Sequence, residues 1–458
     1  MKLGMKEKFE AESIEKRIQR IKRKQYQMFG VIAVLICMGI GSFSSKSKMV
    51  EKMNLFLSLP TESEHSNIVE LSNGEESTRN EEIQEIQDTP IPIETQDKQL
   101  FTLNALSACL MDASNGRVLY AKDAYKEMPM ASTTKIMTLL VVLENAKLDE
   151  IVTVSKNAAC QPDVQLNINT GEQYVLGDLL YSLMLESHND TAVAIAEHVG
   201  GSVDEFCDMM TKRAKDLGAE HTQFKTPNGL DADGHYTTAR DLSLIASYAI
   251  TNKEFCKIIK TQTYQFDSID KKRSFTVNNK NRFLYMMEGA LGIKTGYTGK
   301  AGYCFVGAIN SNGKTLVSTV LGSGWPPRKE LKWTDTRKLM NYGLDNYEVS
   351  FLFNHIQQDE IVEIPRTLPV IEGKTTTVKI RPESDIRNEK MLMREDETVT
   401  MQLSLDDYII APCKEGTFVG NLTYFINGEV YQSIPIVTTE EVQDYDFWFL
   451  FHKLITIW

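Results

Sequence analysis

Two hairpin signals, far apart in the chain, constrain its fold more than any other feature. Residues 302–309 and 314–321 are rich in apolar residues, and the turn-forming sequence Asn-Ser-Asn-Gly separates them. A second pair of short apolar runs, residues 105–112 and 117–121, flanks Ser114-Asn115-Gly116. Both patterns predict β-hairpins. Strands at both ends of one region, with helices between them, predict an α+β domain in which helices pack on an antiparallel sheet.

Helical patterns fill the interval between the two hairpins. Residues 135–144, 176–185 and 191–199 are predicted helices, and residues 331–343 predict a closing helix. We therefore place one domain at residues 100–345, a length that is ample for a single large core.

A serine and a lysine stand at the start of the first of these helices. Ser132 comes just before the apolar run and Lys135 lies three residues later, so the two share one helix face near the positive end of the helix dipole. Apolar surroundings disfavour a charged ammonium group, which makes Lys135 a plausible base for Ser132. The same spacing at Ser13/Lys16 lies in a highly charged segment with nothing to desolvate the lysine.

Two further motifs follow in the chain. Ser187 and Asn189 lie on the polar break between two predicted helices, where both can point into a cleft, although Asn189 or Asp190 can instead serve as a helix cap. Lys294-Thr295-Gly296 directly precedes the late hairpin, so we expect it on or beside an antiparallel strand. A strand edge can bind an extended peptide through its backbone. Thr295 can bind a terminal carboxylate, and Lys294 adds a positive field.

In this order, the three motifs resemble those of the penicillin-recognising serine enzymes. Longer matches resemble the D-alanyl-D-alanine carboxypeptidases, which are the low-molecular-mass penicillin-binding proteins. The resemblance covers residues 100–345 firmly and the remainder of the chain more loosely. The matching stretches are residues 130–138, 187–192, 227–236, 238–242 and 292–298.

The resemblance implies three catalytic residues. Ser132 would attack the carbonyl group between the two terminal D-alanines of a peptidoglycan stem peptide. Lys135 would take the serine proton, and Ser187 would relay a proton to the leaving D-alanine. Water would then hydrolyse the acyl-enzyme. β-Lactams mimic the dipeptide and are expected to acylate Ser132.

The resemblance also implies the substrate-binding groups. Asn189 would hold the substrate amide, and Lys294 and Thr295 would hold the terminal carboxylate. The backbone N–H groups of Ser132 and Tyr297 would form the oxyanion hole, which contributes about 3 kcal/mol per donor to lowering the barrier.

Two alternatives remain open at this point. A DD-endopeptidase that cleaves cross-links would share the motifs, and so would a non-catalytic β-lactam sensor. A fast β-lactamase is disfavoured, because residues 218–226 contain only Glu220 and no Glu-x-x-Leu-Asn pattern. The seven histidines are scattered, so we expect no metal and no cofactor. A net charge of −12 without a basic stripe argues against a nucleic-acid partner.

The first hundred residues indicate an exported, membrane-associated protein. Residues 1–24 hold nine Lys or Arg, and residues 25–45 carry no charge, which predicts a basic cytoplasmic segment followed by a signal anchor or a signal peptide. Residues 46–99 are predicted to be a disordered acidic linker. We therefore expect the protein at the cell membrane, with its catalytic domain outside the cytoplasm.

The remainder of the chain predicts a second domain and a tail. Residues 346–440 are expected to form a small all-β domain with strands at 360–364, 375–381, 398–405, 417–426 and 429–437. Asn427-Gly428 is a strong hairpin signal. Residues 441–458 form an aromatic tail, either a helix in the plane of the membrane or an element packed on the β-domain. The seven cysteines are expected to be free thiols.

Overall fold

The computed structural model describes residues 101–456, except residue 163 and residues 357–360. The predictions made for residues 1–24, 25–45 and 46–99 therefore lie outside the described residues.

A five-stranded antiparallel sheet organises the first domain, and its order is β2-β1-β9-β8-β7. The early hairpin lies beside the late one because β1 pairs with β9 along its whole length. Two short antiparallel strand pairs, β3 with β4 and β5 with β6, lie outside this sheet. The strands are β1 (Ser107–Asp112), β2 (Val118–Lys122), β3 (Ile151–Thr153), β4 (Gln173–Val175), β5 (Thr263–Asp267), β6 (Ser274–Asn278), β7 (Ala290–Thr298), β8 (Gly302–Ser311) and β9 (Lys314–Leu321).

Helices cover both faces of this sheet. Alternate residues of β1 separate into two cores: Cys109 and Met111 join the core beneath the central helices, while Ala108 and Leu110 join the core beneath the closing helix. Burial on both faces explains why the strands are apolar runs and do not alternate with polar residues. The helices are α1 (Lys135–Asn145), α2 (Lys156–Ala159), α3 (Leu176–Leu185), α4 (Asn189–Gly200), α5 (Val203–Asp216), α6 (Ala239–Ala249), α7 (Lys253–Lys260) and α8 (Leu331–Asn346).

The second domain contains a six-stranded sheet of order β14-β16-β17-β12-β11-β15, which encloses a core of its own. Asn427 and Gly428 both adopt positive φ at the tip of the β16–β17 hairpin, as that signal predicts. The strands of this part of the chain are β10 (Glu348–Phe351), β11 (Thr367–Ile371), β12 (Thr377–Pro382), β13 (Lys390–Met393), β14 (Val399–Leu405), β15 (Ile409–Ile410), β16 (Phe418–Ile426) and β17 (Glu429–Thr438).

One predicted strand of this domain is wrong. Residues 361–364 belong to no strand, and β11 begins only at Thr367. Pro365 explains the difference, because proline has no N–H for a strand ladder and restricts the residue before it. The side chain of Ile361 is largely exposed, so the apolar residues of this stretch were a misleading signal.

Buried polar contacts connect the two domains. The guanidinium group of Arg117, the residue before β2, lies 2.6 Å from the Glu397 carboxylate, and both side chains are buried. The Leu392 backbone N–H donates to the Asp112 carboxylate, and the Leu392 side chain packs in the core beneath α8. Strand β13 of the second domain is thus also part of the first domain's packing.

The aromatic tail forms a helix, α9 (Phe447–Thr456), with Trp448 exposed over 72% of its surface. Within the described residues, no helix is both long enough and apolar enough to cross a membrane.

Candidate active site

The nucleophile candidate lies on a tight turn that leads directly into a buried helix. Ala131–Thr134 form a 3₁₀ turn, and α1 continues from Lys135 without a break. Ser132 is partly exposed, whereas Lys135 is completely buried by the apolar side chains of α1 and its neighbours. Ala131 holds a φ of +48°, an uncommon value for a residue other than glycine, so the turn is held in place by its surroundings.

Three oxygen atoms surround the buried amine. Lys135 Nζ lies 3.1 Å from Ser132 Oγ, 2.9 Å from Asn189 Oδ1 and 2.5 Å from the carbonyl oxygen of Asn228. The Ser132 hydroxyl also lies 3.3 Å from the same Asn228 carbonyl. The first and second sequence motifs therefore meet at one nitrogen atom.

Burial governs the electrostatics of both site lysines. It is the main cause that holds the pKa of Lys135 well below its ordinary value, and repulsion from Lys294 acts in the same direction. The attraction of Asp190 opposes this shift. Burial also lowers the pKa of Lys294 to about 7. The third motif is thus close enough for its charge to act on Lys135.

The turn between α3 and α4 presents Ser187 and Asn189. Ser187 adopts a φ of +71°, and its buried Oγ has no hydrogen-bond partner among the described residues. The Asn189 amide group donates to the carbonyl oxygen of Pro162, while its oxygen accepts from Lys135. An unsatisfied buried hydroxyl group costs free energy, which makes Ser187 a candidate for contact with a substrate or a water molecule.

Strand β7 closes the other side of the site. A methyl group added at Gly296 would lie 3.0 Å from the Ser132 nitrogen and from the Ala131 side chain, so glycine allows the strand to pack directly on the nucleophile turn. Lys294 is buried and donates to the carbonyl oxygen of Thr295 at 3.1 Å. Tyr297 follows at the strand edge and is 45% exposed.

Two residues that contribute to the candidate site were not predicted from the sequence. The stretch 227–236 enters the sequence analysis only as one that carries the resemblance, yet Asn228 supplies the carbonyl oxygen that contacts both Ser132 and Lys135. Asp190 was considered only as a possible cap, yet its carboxylate accepts the backbone N–H groups of Leu166, Asn167 and Ile168 and so orders the neighbouring loop. The Pro-Asn-Gly sequence marks the first contributor as a turn, but a backbone carbonyl has no signature of its own.

The structure thus brings all three motifs close together. Ser132, Lys135 and Asn189 are in direct contact, Lys294 acts on Lys135 through its charge, and Ser187 lies on the same turn as Asn189. The roles assigned to Thr295 and Tyr297 stay predictions.

This geometry, a serine beside a buried lysine amine between an antiparallel strand and a helical region, is the one expected from the resemblance to penicillin-recognising enzymes. A sequence model of D-alanyl-D-alanine carboxypeptidases matches residues 93–324, and a model of the C-terminal domain of penicillin-binding protein 5 matches residues 352–444. The chain belongs to the D-alanyl-D-alanine carboxypeptidase family.

Individual relatives agree over most of the chain. The D-alanyl-D-alanine carboxypeptidase DacF of Bacillus subtilis is 30% identical, over 74% of this chain and 86% of its own length. DacC of Escherichia coli is 29% identical, over 75% of this chain and 85% of its own. The structure of penicillin-binding protein 5 from Haemophilus influenzae is similar with a TM-score of 0.60 and 26% identity, over 75% of this chain and 99% of that one.

The contact between the Asn228 turn and the nucleophile turn generates a prediction. A methyl group at Gly229 (φ +85°) would lie 2.1 Å from the Ala131 carbonyl oxygen, whereas one at Gly171 (φ +86°) would meet nothing within 4 Å. We expect Gly229→Ala to lower the rate of acylation by a fluorescent penicillin by at least about 100-fold, because a small displacement of a reacting group is costly. Gel fluorescence over time measures this rate.

Gly171→Ala is the matched control, because it imposes the same backbone strain of about 1–2 kcal/mol without the clash. Equal acylation rates in the two variants would show that the Asn228 turn does not position Ser132.

Proposed function

We propose that the protein removes the terminal D-alanine from peptidoglycan stem peptides through an acyl-enzyme on Ser132. Membership of the D-alanyl-D-alanine carboxypeptidase family supports the reaction and the binding of β-lactams. The observation that carries the serine mechanism is the 3.1 Å contact between Ser132 Oγ and a fully buried Lys135 amine.

The surroundings of Lys135 suit a neutral amine that acts as a base. A neutral amine has two N–H bonds and one lone pair. Asn189 Oδ1 and the Asn228 carbonyl oxygen can each accept a hydrogen bond from one of these N–H groups. The lone pair is then directed at the hydroxyl hydrogen of Ser132. The serine oxygen then attacks the carbonyl carbon of the penultimate D-alanine as its proton passes to Lys135.

The remaining groups fit the other parts of the reaction. Lys294, when protonated, favours the terminal carboxylate of the substrate, and Thr295 lies beside it on the strand. Backbone N–H groups of Ser132 and Tyr297 stabilise the oxyanion. The C–N bond then breaks as the Ser187 hydroxyl passes a proton to the nitrogen of the departing D-alanine, and Ser187 receives in its place the proton that Lys135 took up. In the second half of the reaction, Lys135 takes a proton from the attacking water and returns it to the Ser132 oxygen as the ester bond breaks, which restores both residues.

Removal of the nucleophile tests this proposal. We expect Ser132→Ala to lower the release of D-alanine from diacetyl-L-Lys-D-Ala-D-Ala on the order of 10⁴-fold or more, because no other group can form the ester. Ser311→Ala is a matched control: Ser311 also precedes a buried lysine by three residues, but Lys314 contacts Glu348 and the Leu344 carbonyl oxygen instead. Undiminished release by the Ser132 variant would refute the assignment. Cleavage of cross-linked muropeptides without release of D-alanine would indicate an endopeptidase.

The lysine pKa shifts predict a bell-shaped dependence of kcat/KM on pH. Activity should rise as Lys135 loses its proton, since only the neutral amine is a base, and fall above about pH 7 as Lys294 loses the charge that binds the carboxylate. In Lys294→Arg the falling limb should move to higher pH, because arginine stays charged. Initial rates of D-alanine release across the pH range measure both limbs.

The exposed Lys300→Arg variant should keep the wild-type profile. A falling limb that stays in place in Lys294→Arg would assign that limb to another group.

We further propose that the enzyme works at the cell membrane, with its catalytic domain on the outer side. The basic segment and the uncharged stretch at residues 25–45 support this, and so does α9 with its exposed Trp448. After labelling with fluorescent penicillin, the protein should remain with membranes through a carbonate wash. Protease added to intact protoplasts should degrade it. Recovery in the soluble fraction would contradict the proposal.

A further inference from the structure

Three exposed or partly exposed aromatic rings lie beside the candidate active site, where strand β7 turns into β8. They are Tyr297, Tyr303 and Trp325, and we call them the aromatic strip. Tyr297 is 45% exposed and Trp325 is 38% exposed, although both are large apolar side chains. None of the catalytic roles assigned above uses these rings.

The three rings are held in position by the β7–β8 turn and its neighbours. Tyr297 and Tyr303 face each other across the β7–β8 ladder, with ring centroids 4.7 Å apart. Trp325 donates from its indole nitrogen to the Gly299 carbonyl oxygen at 2.9 Å. Gly302 (φ +68°) allows this approach, because a methyl group there would lie 2.9 Å from the indole ring. Lys332 supports the strip, with its ammonium group 4.7 Å from the Tyr303 ring centroid.

The direction of the substrate follows from the order of groups on β7. Its carboxylate end belongs at Lys294 and Thr295, and its scissile carbonyl belongs at Ser132, beside Gly296. The residues before the scissile bond must therefore continue past Tyr297, toward the turn that Trp325 supports. A strand rises about 3.3 Å per residue, so an extended substrate beside the strand reaches this turn with its next few residues.

We propose that the aromatic strip binds the part of the stem peptide that precedes the penultimate D-alanine. The inference rests on the proposed function and adds to it a determinant of substrate length. The ligand class is an extended peptide. Its aliphatic groups pack on the ring faces, and its backbone hydrogen-bonds to the edge of β7.

Substrates of different length test the inference on the full-length protein. The truncated substrate is diacetyl-L-Lys-D-Ala-D-Ala, and the long one is L-Ala-γ-D-Glu-L-Lys-D-Ala-D-Ala. The wild-type protein should have the higher kcat/KM for the long substrate. Trp325→Ala should reduce this preference about five-fold, the scale of one lost aromatic contact. Trp325→Phe should keep most of it, because a ring remains.

Tyr285→Ala, which removes an aromatic side chain that is 67% exposed elsewhere in the domain, should leave the preference unchanged. An equal loss on both substrates in Trp325→Ala would overturn the inference, since it would show that the indole only supports the turn. A loss confined to a muramyl pentapeptide would overturn it too, because the strip would then bind the sugar. Absence of turnover by the wild-type protein on every substrate would instead refute the proposed function.

Discussion

The burial of one amine is the constraint on which the site depends. Lys135 would be strongly disfavoured as an isolated cation in an apolar core. Its position is tolerable because three oxygen atoms surround it, and each comes from a different part of the chain: the nucleophile turn, the start of α4 and the Asn228 turn. The same burial lowers the pKa of Lys135, so the packing of α1 sets the electrostatics beside Ser132.

The backbone around this amine departs from ordinary geometry at several points. Ala131 and Ser187 both have positive φ, although neither is glycine. Each such residue costs about 1–3 kcal/mol, which the surrounding structure must supply. The Asp190 carboxylate contributes by accepting three N–H groups of the neighbouring loop. Close packing of Gly229 and Gly296 on the nucleophile turn leaves that turn little freedom to relax.

Sequence periodicity correctly predicted the helices and strands whose bounds depend on the pattern of apolar side chains. It located α3 at its observed bounds and the β8–β9 hairpin within two residues, since apolar faces are visible in the order of residues. It predicted a strand that is absent just before Pro365, because there the backbone restriction by proline outweighs the apolar side chains. It also failed at Asn228, whose carbonyl contact with Lys135 any residue of suitable conformation could make. Ser132, Lys135 and Asn189 were found because their side chains make the contacts.

The second domain is relevant to function because it is packed firmly against the catalytic domain. Leu392 packs in a core of the catalytic domain, and the buried Arg117–Glu397 pair would leave an uncompensated charge if the domains separated. At the far end, Asp446 pairs with Lys374, and the Tyr445 N–H donates to Glu372, directly before α9. A continuous series of packed contacts therefore runs from the catalytic sheet to the aromatic helix. These contacts fix the position and the orientation of α9 relative to the candidate active site.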